Sequence, residues 1–364
     1  MAAAVMAMIQ YKQSSSERAR STLSKSLYLK RTKKMLKREP EAVVEKFTRL
    51  CNALHRPENF RVYVAADVVK NLQRPVTAWR VLTNGLDMSK TIEPLPDRKA
   101  NLSDLGKKPG NAAYIVPIGA IDSSYGLLAT KAPESYDHPD LPALTVAATY
   151  MDAVEGPLWA AVRGTGLAYG TGWRVNVDSG MLSYRIYRSP DAYKAFSVSK
   201  EQVEGYASGS IPLDKLALEG AISEIVLNMA NEQPTMATAA SGSFINQVIR
   251  GIAKDWNHQM LSKVRQVTPE QVRAAMTKYM VPAFTPQSGI LIVTCAQIMQ
   301  ENLEERFRKL GFNPEVKPLE DFQDDYGLKA MEGEDDDDTD SEEEDDEEDD
   351  SEDDDDDDDD EDEA

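Results

Sequence analysis

The residues best suited to chemistry lie close together in one stretch, Gly156–Trp173, which reads GPLWAAVRGTGLAYGTGW. Arg163 offers a fixed fork of hydrogen-bond donors and Tyr169 a neutral donor, so the pair suits a carboxylate or a polarised carbonyl. Three glycines surround the pair: Gly164, Gly166 and Gly170. Glycine permits the positive φ angles and close backbone approach that a tight helix-to-strand turn needs. The stretch therefore predicts an arginine and a tyrosine held near each other at the edge of a sheet.

A structural interpretation of the same pair remains open at this point. Arg163 could fix the carbonyl groups of its own loop, and Tyr169 could simply begin a strand. Two tryptophans, Trp159 and Trp173, flank the pair, and core packing is the expectation for both.

The elements that must position this stretch indicate an α+β fold. Alternating or continuous apolar runs predict strands at 111–118, 124–132, 167–177, 181–187 and 289–295. Helical periodicity and capping signals predict helices at about 137–153, 190–208, 212–231, 237–253, 256–264, 268 onward and 299–310. This order is not a βαβ alternation, so we expect one mostly antiparallel sheet with helices packed on one face. The chain has no GxGxxG or GxxxxGK[ST] motif to support nucleotide binding.

The first hundred residues read as an incomplete, mostly helical domain. Residues 1–55 favour helices, and one apolar stripe recurs at helical spacing. It consists of Val43, Val44, Phe47, Leu50, Cys51 and Leu54. Residues 60–65 alternate like a single strand. We therefore predict domains at 1–97, 98–322 and 323–364, the last an acidic tail.

The net charge of −21 comes from that tail. Residues 332–364 hold 28 acidic residues and no Lys or Arg, a composition that predicts disorder. Without them, 34 acidic residues stand against 41 basic ones, so the rest of the chain is mildly basic. The basic residues of 18–38 have only one aromatic residue, Tyr28, among them. We interpret them as a solvated helix face and expect no nucleic-acid partner.

The two cysteines, Cys51 and Cys295, lie far apart without CxxC spacing, which fits a reducing compartment. The apolar start at 1–10 is too short to cross a membrane and lacks a basic n-region. Residues 15–38 loosely resemble a transit peptide but contain Glu17 and continue into a helix. These features predict a cytoplasmic protein, with a mitochondrial location as the alternative and no membrane partner.

Residues 100–320 resemble the C-terminal domain of the pitrilysin/insulinase family of zinc metallopeptidases, and the presequence-protease-like branch in particular. The resemblance is carried by Arg163-Gly-Thr-Gly166-Leu-Ala-Tyr169-Gly170, a hairpin, and Tyr184-Arg-Ile-Tyr187-Arg-Ser-Pro190. It implies that Arg163 and Tyr169 orient a peptide and help to stabilise the oxyanion as a carbonyl is attacked. It also implies that Gly164, Gly166 and Gly170 contact the substrate.

The chain departs from the family at its metal site. Family members bind zinc through H-x-x-E-H in their first domain, and the three histidines here, His55, His138 and His258, do not begin that motif. We expect His138 in a helix cap and His258 on a helix surface or at a domain interface. The resemblance thus implies the C-terminal half of such an enzyme. It implies no cofactor in this chain, with zinc expected only in a missing N-terminal half. The partners that it implies are a peptide substrate and either that catalytic half or a homologous subunit. The alternative is a non-catalytic structural or interaction subunit of a larger complex.

Overall fold

The computed structural model describes residues 1–12, 16–60, 98–232 and 234–324, with short pieces at 63–64, 67–71, 73–74, 77–85, 87 and 89. Residues 1–326 form one compact unit. A second unit, residues 327–364, lies outside the described residues, and with it nearly all of the predicted acidic tail. The predicted domain boundaries at 97 and 322 stay predictions.

Six strands form one sheet within the described ranges. They are β1 (Ala112–Pro117), β2 (Ser124–Lys131), β3 (Gly170–Asn176), β4 (Met181–Ser189), β5 (Ile290–Cys295) and β6 (Pro314–Val316). Their order is β3-β4-β2-β5-β1-β6. The pairs β3–β4, β2–β4 and β2–β5 are antiparallel, whereas β1 pairs in parallel with β5 and β6. The prediction of an α+β fold with a mostly antiparallel sheet is therefore confirmed.

The helices precede, connect and follow these strands. They are α1 (Ala2–Gln10), α2 (Ser16–Arg20), α3 (Thr22–Arg38), α4 (Pro40–Leu54), α5 (Val68–Asn71), α6 (Arg80–Thr83), α7 (Asp104–Lys107), α8 (Leu141–Asp152), α9 (Ala192–Ser208), α10 (Lys215–Asn231), α11 (Met236–Phe244), α12 (Trp256–Val264), α13 (Pro269–Ala275) and α14 (Gln300–Lys309). None of the helices in the described part of the chain is long and apolar enough to cross a membrane.

The predicted helix start at Thr268 shows how closely local sequence sets these elements. The Thr268 hydroxyl accepts a hydrogen bond from the backbone N–H of Gln271, and the Gln271 side chain accepts one from the backbone N–H of Thr268. This reciprocal pair is a capping box, with Pro269 in the first turn, where its missing N–H costs nothing.

The main core lies between one face of the sheet and helices α8, α9, α12 and α13. Because side chains alternate along a strand, Leu182, Tyr184 and Ile186 of β4 all point into this core. There Tyr184 packs against Phe284, and Phe196 of α9 packs edge-on against the same ring. This aromatic cluster fixes β4, and β4 in turn carries the edge strand β3.

The second face of the sheet is partly covered by α1. Val5, Met6 and Met8 of this helix pack on Ala129 of β2 and Ile292 of β5 in a smaller cluster. The sequence prediction placed helices on one face and did not anticipate this cover. The sequence of a short, nearly uniformly apolar helix does not indicate which side of the helix is buried, because the helix lacks a polar face.

The apolar stripe predicted on α4 is formed but mostly exposed. Val43 is buried, whereas Val44, Phe47 and Leu54 are more than half exposed. The strand predicted at 60–65 lies partly outside the described residues, and its described members are not in a strand. This region therefore has helices without a covering sheet among the residues that the structure describes.

Candidate substrate-binding site

Arg163 ends a helical turn of unusual width. Residues Trp159–Arg163 form a π-helical turn, closed by a hydrogen bond from the Gly164 N–H to the Trp159 carbonyl (2.8 Å). Such single wide turns are rare in helices and occur frequently at functional sites. Leu158, just before the turn, and Val162, within it, are buried and anchor the turn to the core. Arg163 is thereby presented on a fixed turn while its own side chain is exposed.

The loop that follows satisfies its own backbone without help from Arg163. The Thr165 hydroxyl donates to the Ala161 carbonyl (2.7 Å), and the Leu167 N–H donates to the Val162 carbonyl (2.9 Å). The Ser189 hydroxyl donates to the Leu167 carbonyl (2.5 Å). The structural interpretation, in which Arg163 fixes these carbonyls, therefore has no support from the hydrogen bonds of this loop.

Arg163 and Tyr169 do come together, as the sequence predicts. The guanidinium carbon lies 4.9 Å from the centre of the Tyr169 ring and 6.0 Å from that of Trp159. Tyr169 is 61% exposed, and its backbone N–H is tied to the Arg188 carbonyl of β4 (3.0 Å). Within the described ranges, the Arg163 guanidinium makes no hydrogen bond or ion pair. Cation–π stacking thus orients Arg163 and leaves its donors available to a ligand.

The two flanking tryptophans differ from each other. Trp173 is buried and packs against Tyr184 at 4.7 Å, so the expectation of core packing is met there. Trp159 is only partly buried and lies under Arg163 instead, so the expectation of core packing is wrong for this residue. The difference follows from position: Trp173 lies within a strand, whereas Trp159 lies on the outer side of the wide turn.

The three candidate glycines have different surroundings. A Cβ at Gly164 would lie 2.8 Å from the Ala160 carbonyl oxygen, so packing alone accounts for this glycine. Gly166 has φ +74°, which disfavours any side chain. A Cβ at Gly170 would meet nothing within 4 Å, and its φ is not positive. Gly170 is therefore the glycine whose small size the fold itself does not require.

Asp152, at the end of α8, lies beside β3 and was not singled out by the sequence. Its Oδ2 accepts a hydrogen bond from the backbone N–H of Trp173 (2.6 Å), which faces the free edge of β3. Desolvation raises the pKa of this carboxyl to about 7, against the opposing effects of that N–H and of Arg185. No local pattern marks Asp152, because its surroundings come from β3, β4 and α10.

The histidines do not assemble a metal site. His138 Nδ1 accepts the N–H of Asp140 (3.1 Å) at the start of α8, which places it in a helix cap as expected. His258 is exposed on α12, and His55 follows the last turn of α4. Among the described residues, His, Cys, Asp and Glu form no group of three or more that could hold a metal ion. These side chains do not fit a three-ligand zinc site.

Comparison with known proteins places the chain within longer relatives. No protein-family model matches it. It is 28% identical over 320 residues to the uncharacterized protein C3H1.02c of Schizosaccharomyces pombe, covering 86% of this chain and 30% of that protein. It is 29% identical over 282 residues to the uncharacterized protein YOL098C of Saccharomyces cerevisiae, covering 76% and 27%. The chain thus spans less than a third of the length of these relatives.

Several solved structures are also similar to this chain. The inactive domain of a peptidase M16 from Pseudomonas fluorescens is 14% identical, with a TM-score of 0.47, over 64% of this chain and 52% of that one. A putative zinc protease from Bordetella pertussis is 20% identical, with a TM-score of 0.40, over 46% and 93%. The fold described above follows from the strand order and register of this chain's own sheet.

Proposed function

We propose that this chain is the peptide-holding C-terminal part of a zinc metallopeptidase of the pitrilysin/insulinase type and does not hydrolyse peptides by itself. One observation carries the proposal. Arg163 is stacked on Tyr169 on a rigid turn, and its guanidinium donors have no acceptor in the described part of the chain. This exposed arrangement suits a ligand better than it suits a structural role.

The proposed role of the pair is to bind and orient a peptide. The Arg163 fork donates two hydrogen bonds to a backbone carbonyl or a carboxylate, and the Tyr169 hydroxyl adds a neutral donor. If the bound carbonyl is attacked, these donors stabilise the charge on its oxygen. The group that activates water belongs to another part of the polypeptide or to a partner, since the histidines here do not fit that task.

A hydrolysis assay tests the first half of this proposal. The purified chain is incubated with an unfolded peptide and added Zn²⁺, with and without a chelator. We expect no cleavage under either condition. Chelator-sensitive cleavage that survives further purification would contradict the assignment of catalysis to another part of the protein.

The second candidate is a non-catalytic interaction subunit, and the exposed apolar stripe of α4 favours it. Phe47 and Leu54 present 62% and 56% of their surfaces to solvent, and clustered exposed apolar residues mark contact surfaces. Affinity purification separates the candidates. A stoichiometric partner that carries H-x-x-E-H supports the peptidase role, whereas a stable complex without bound zinc supports the interaction subunit.

A further inference from the structure

We infer that the open part of the sheet beside Arg163 is a subsite for one aromatic or large aliphatic side chain of an extended peptide. The subsite consists of Tyr125, Tyr187 and Tyr169, called here the tyrosine row. The inference rests on the proposed peptide-holding function and adds a substrate preference to it. Of these three residues, only Tyr169 belongs to the pair identified above.

Tyr125 and Tyr187 lie side by side on the sheet face opposite the main core, and the ring of Tyr169, just before β3, lies next to that of Tyr187. Tyr125 and Tyr187 have ring centres 5.6 Å apart, and Tyr187 and Tyr169 6.0 Å apart, both pairs edge to face. Tyr187 is 49% exposed and Tyr125 is partly buried. None of the three hydroxyls makes a hydrogen bond within the part of the chain that the structure describes. The tyrosine row is therefore an aromatic surface that is partly exposed to solvent.

The row begins where the cover provided by α1 ends. Along β2, Ala129 and Leu127 belong to the cluster beneath α1, and Tyr125 is the next residue on the same face. Tyr125 and Tyr187 are not members of that cluster. One sheet face thus has an apolar part that is covered and an aromatic part that is open.

A strained backbone sets Tyr187 in this position. Between the pairs Gly126↔Ile186 and Ser124↔Ser189, β4 has one residue more than β2, which is a β-bulge. Within the bulge, Arg188 has φ +52°, a left-handed conformation that non-glycine residues rarely adopt. The bulge also supplies the Arg188 carbonyl that fixes the Tyr169 N–H. Bulges change the direction of side chains and are common next to active sites. The strained bulge beside Tyr187 therefore favours a functional role for the tyrosine row.

The neighbouring edge strand leaves room for a peptide backbone. Gly170 pairs with Tyr187 and Gly172 with Arg185, so both glycines face the same side as the row. Gly170 has open space where a side chain would be, whereas a Cβ at Gly172 would lie 3.4 Å from Nε of Arg185 and 3.6 Å from Oδ2 of Asp152. The open backbone at Gly170, beside the aromatic rings, fits an extended chain, which presents alternate side chains to a surface. It does not fit a helix, whose radius would hold its backbone away from Gly170.

The chemistry of the row and of Arg163 selects the occupant. A further ring edge can pack on the exposed Tyr187 face in the edge-to-face geometry that the row already uses. Arg163, stacked on the outer ring of the row, then meets a carbonyl or carboxylate of the same peptide. A peptide with a large apolar side chain uses both features, whereas a small polar side chain uses only the arginine.

Binding of matched peptides tests the inference. Three short, unstructured, fluorescein-labelled peptides differ only at one central residue: Phe, Leu or Ser. We expect the Phe and Leu peptides to bind the full chain several-fold to about tenfold more tightly than the Ser peptide by fluorescence anisotropy. Tyr187→Ala should remove this preference, and Tyr187→Phe, which keeps the ring, should retain it. Tyr28→Ala is the matched control, because Tyr28 is 57% exposed on α3.

The outcomes distinguish the proposed tyrosine-row subsite from the peptide-holding function on which it rests. Loss of the preference in Tyr187→Ala, with the Ser peptide still bound as by the wild type, supports the tyrosine row. Equal binding of all three peptides, or a preference that survives Tyr187→Ala, overturns it and leaves the peptide-holding function standing. If none of the peptides binds the wild type up to about 1 mM, both fail. Thermal unfolding of each variant shows whether the fold is retained.

Discussion

Two tyrosines on one strand meet opposite environments in this protein. Tyr184 and Tyr187 lie three residues apart on β4, so the alternation of the strand sends them to opposite faces. Tyr184 is fully buried among Trp173 and Phe284, and its hydroxyl is hydrogen-bonded to Ser199 (2.6 Å). Burial raises the pKa of its phenol. Tyr187 is half exposed, with no such bond among the described residues.

This contrast indicates that Tyr184 contributes to the stability of the fold, whereas Tyr187 is available for binding. The polar end of Tyr184 is satisfied within the fold, so its ring can be buried without an unpaired hydroxyl. The polar ends of Tyr187 and of Arg163 are unused in the fold. Side chains whose polar groups make no hydrogen bond within the described part of the fold are available to hydrogen-bond a ligand.

The largest effect is expected from truncating the buried ring, Tyr184, and a much smaller one from truncating Tyr187. Tyr184→Ala should destabilise the protein by about 3–5 kcal/mol, because it opens a cavity in the aromatic core. Tyr187→Ala should cost only about 0.5–1 kcal/mol, the worth of its edge-to-face contacts. Urea unfolding curves of the two variants measure the difference. Equal losses would show that the sheet faces are not as distinct as described.

A second expectation concerns Asp152, which lies at the end of α8 beside the edge strand β3. Its pKa is raised to about 7 in the folded state by desolvation, from a reference value of 3.8. The folded state therefore binds an extra proton between pH 4 and 7, so stability should fall as pH rises through this window and level off above it. Because Asp152 is more than a third exposed, solvent screens the shift and the effect should be modest.

The substitution Asp152→Asn tests this linkage, with urea midpoints measured from pH 5 to pH 8. The variant should lose stability less steeply than the wild type over this range, because the amide oxygen can still accept the Trp173 N–H and does not ionise. Asp137→Asn, at an exposed position before α8, is the control. Parallel curves for the wild type and Asp152→Asn would contradict the raised pKa.

The bulge at Arg188 predicts a smaller effect of opposite sign. Arg188→Gly should stabilise the protein by up to about 1 kcal/mol, because glycine adopts φ +52° without the Cβ penalty. The larger unfolded-state entropy of glycine offsets part of the gain. Arg174→Gly, at an exposed position of β3 without a positive φ, should instead destabilise. If both variants destabilise alike in urea unfolding, Arg188 is not strained.

Local patterns predicted the elements well because their causes are local. Alternation located β1, β2 and β4 to within two residues, and the capping signal at Thr268 located the start of α13. The strand β6 was missed, since three residues, one of them Pro314, carry too little alternation to be recognised. The pairing of Arg163 with Tyr169 was also predicted, because only five residues, which include the glycine turn, separate them.

The features that could not be predicted from the sequence depend on contacts between residues far apart in the chain. Tyr125 and Tyr187 meet only because β2 pairs with β4, and Asp152 meets Trp173 only because α8 packs against β3. The stripe on α4 is the converse case. Its periodicity predicted an apolar face correctly, but periodicity says nothing about what covers that face, and Phe47 remains 62% exposed.

The most direct test of the account is the effect of Arg163→Ala on peptide binding, with stability measured in the same samples. A labelled, unfolded peptide is titrated into the wild type, Arg163→Ala and the control Arg265→Ala, an exposed position at the end of α12. We predict a loss of affinity of about tenfold or more for Arg163→Ala alone, since hydrogen bonds to a charged group contribute about 1.5–3 kcal/mol. Its unfolding free energy should stay within about 0.5 kcal/mol of the wild type. Unchanged affinity, or a loss that merely follows unfolding, would contradict a binding role for Arg163.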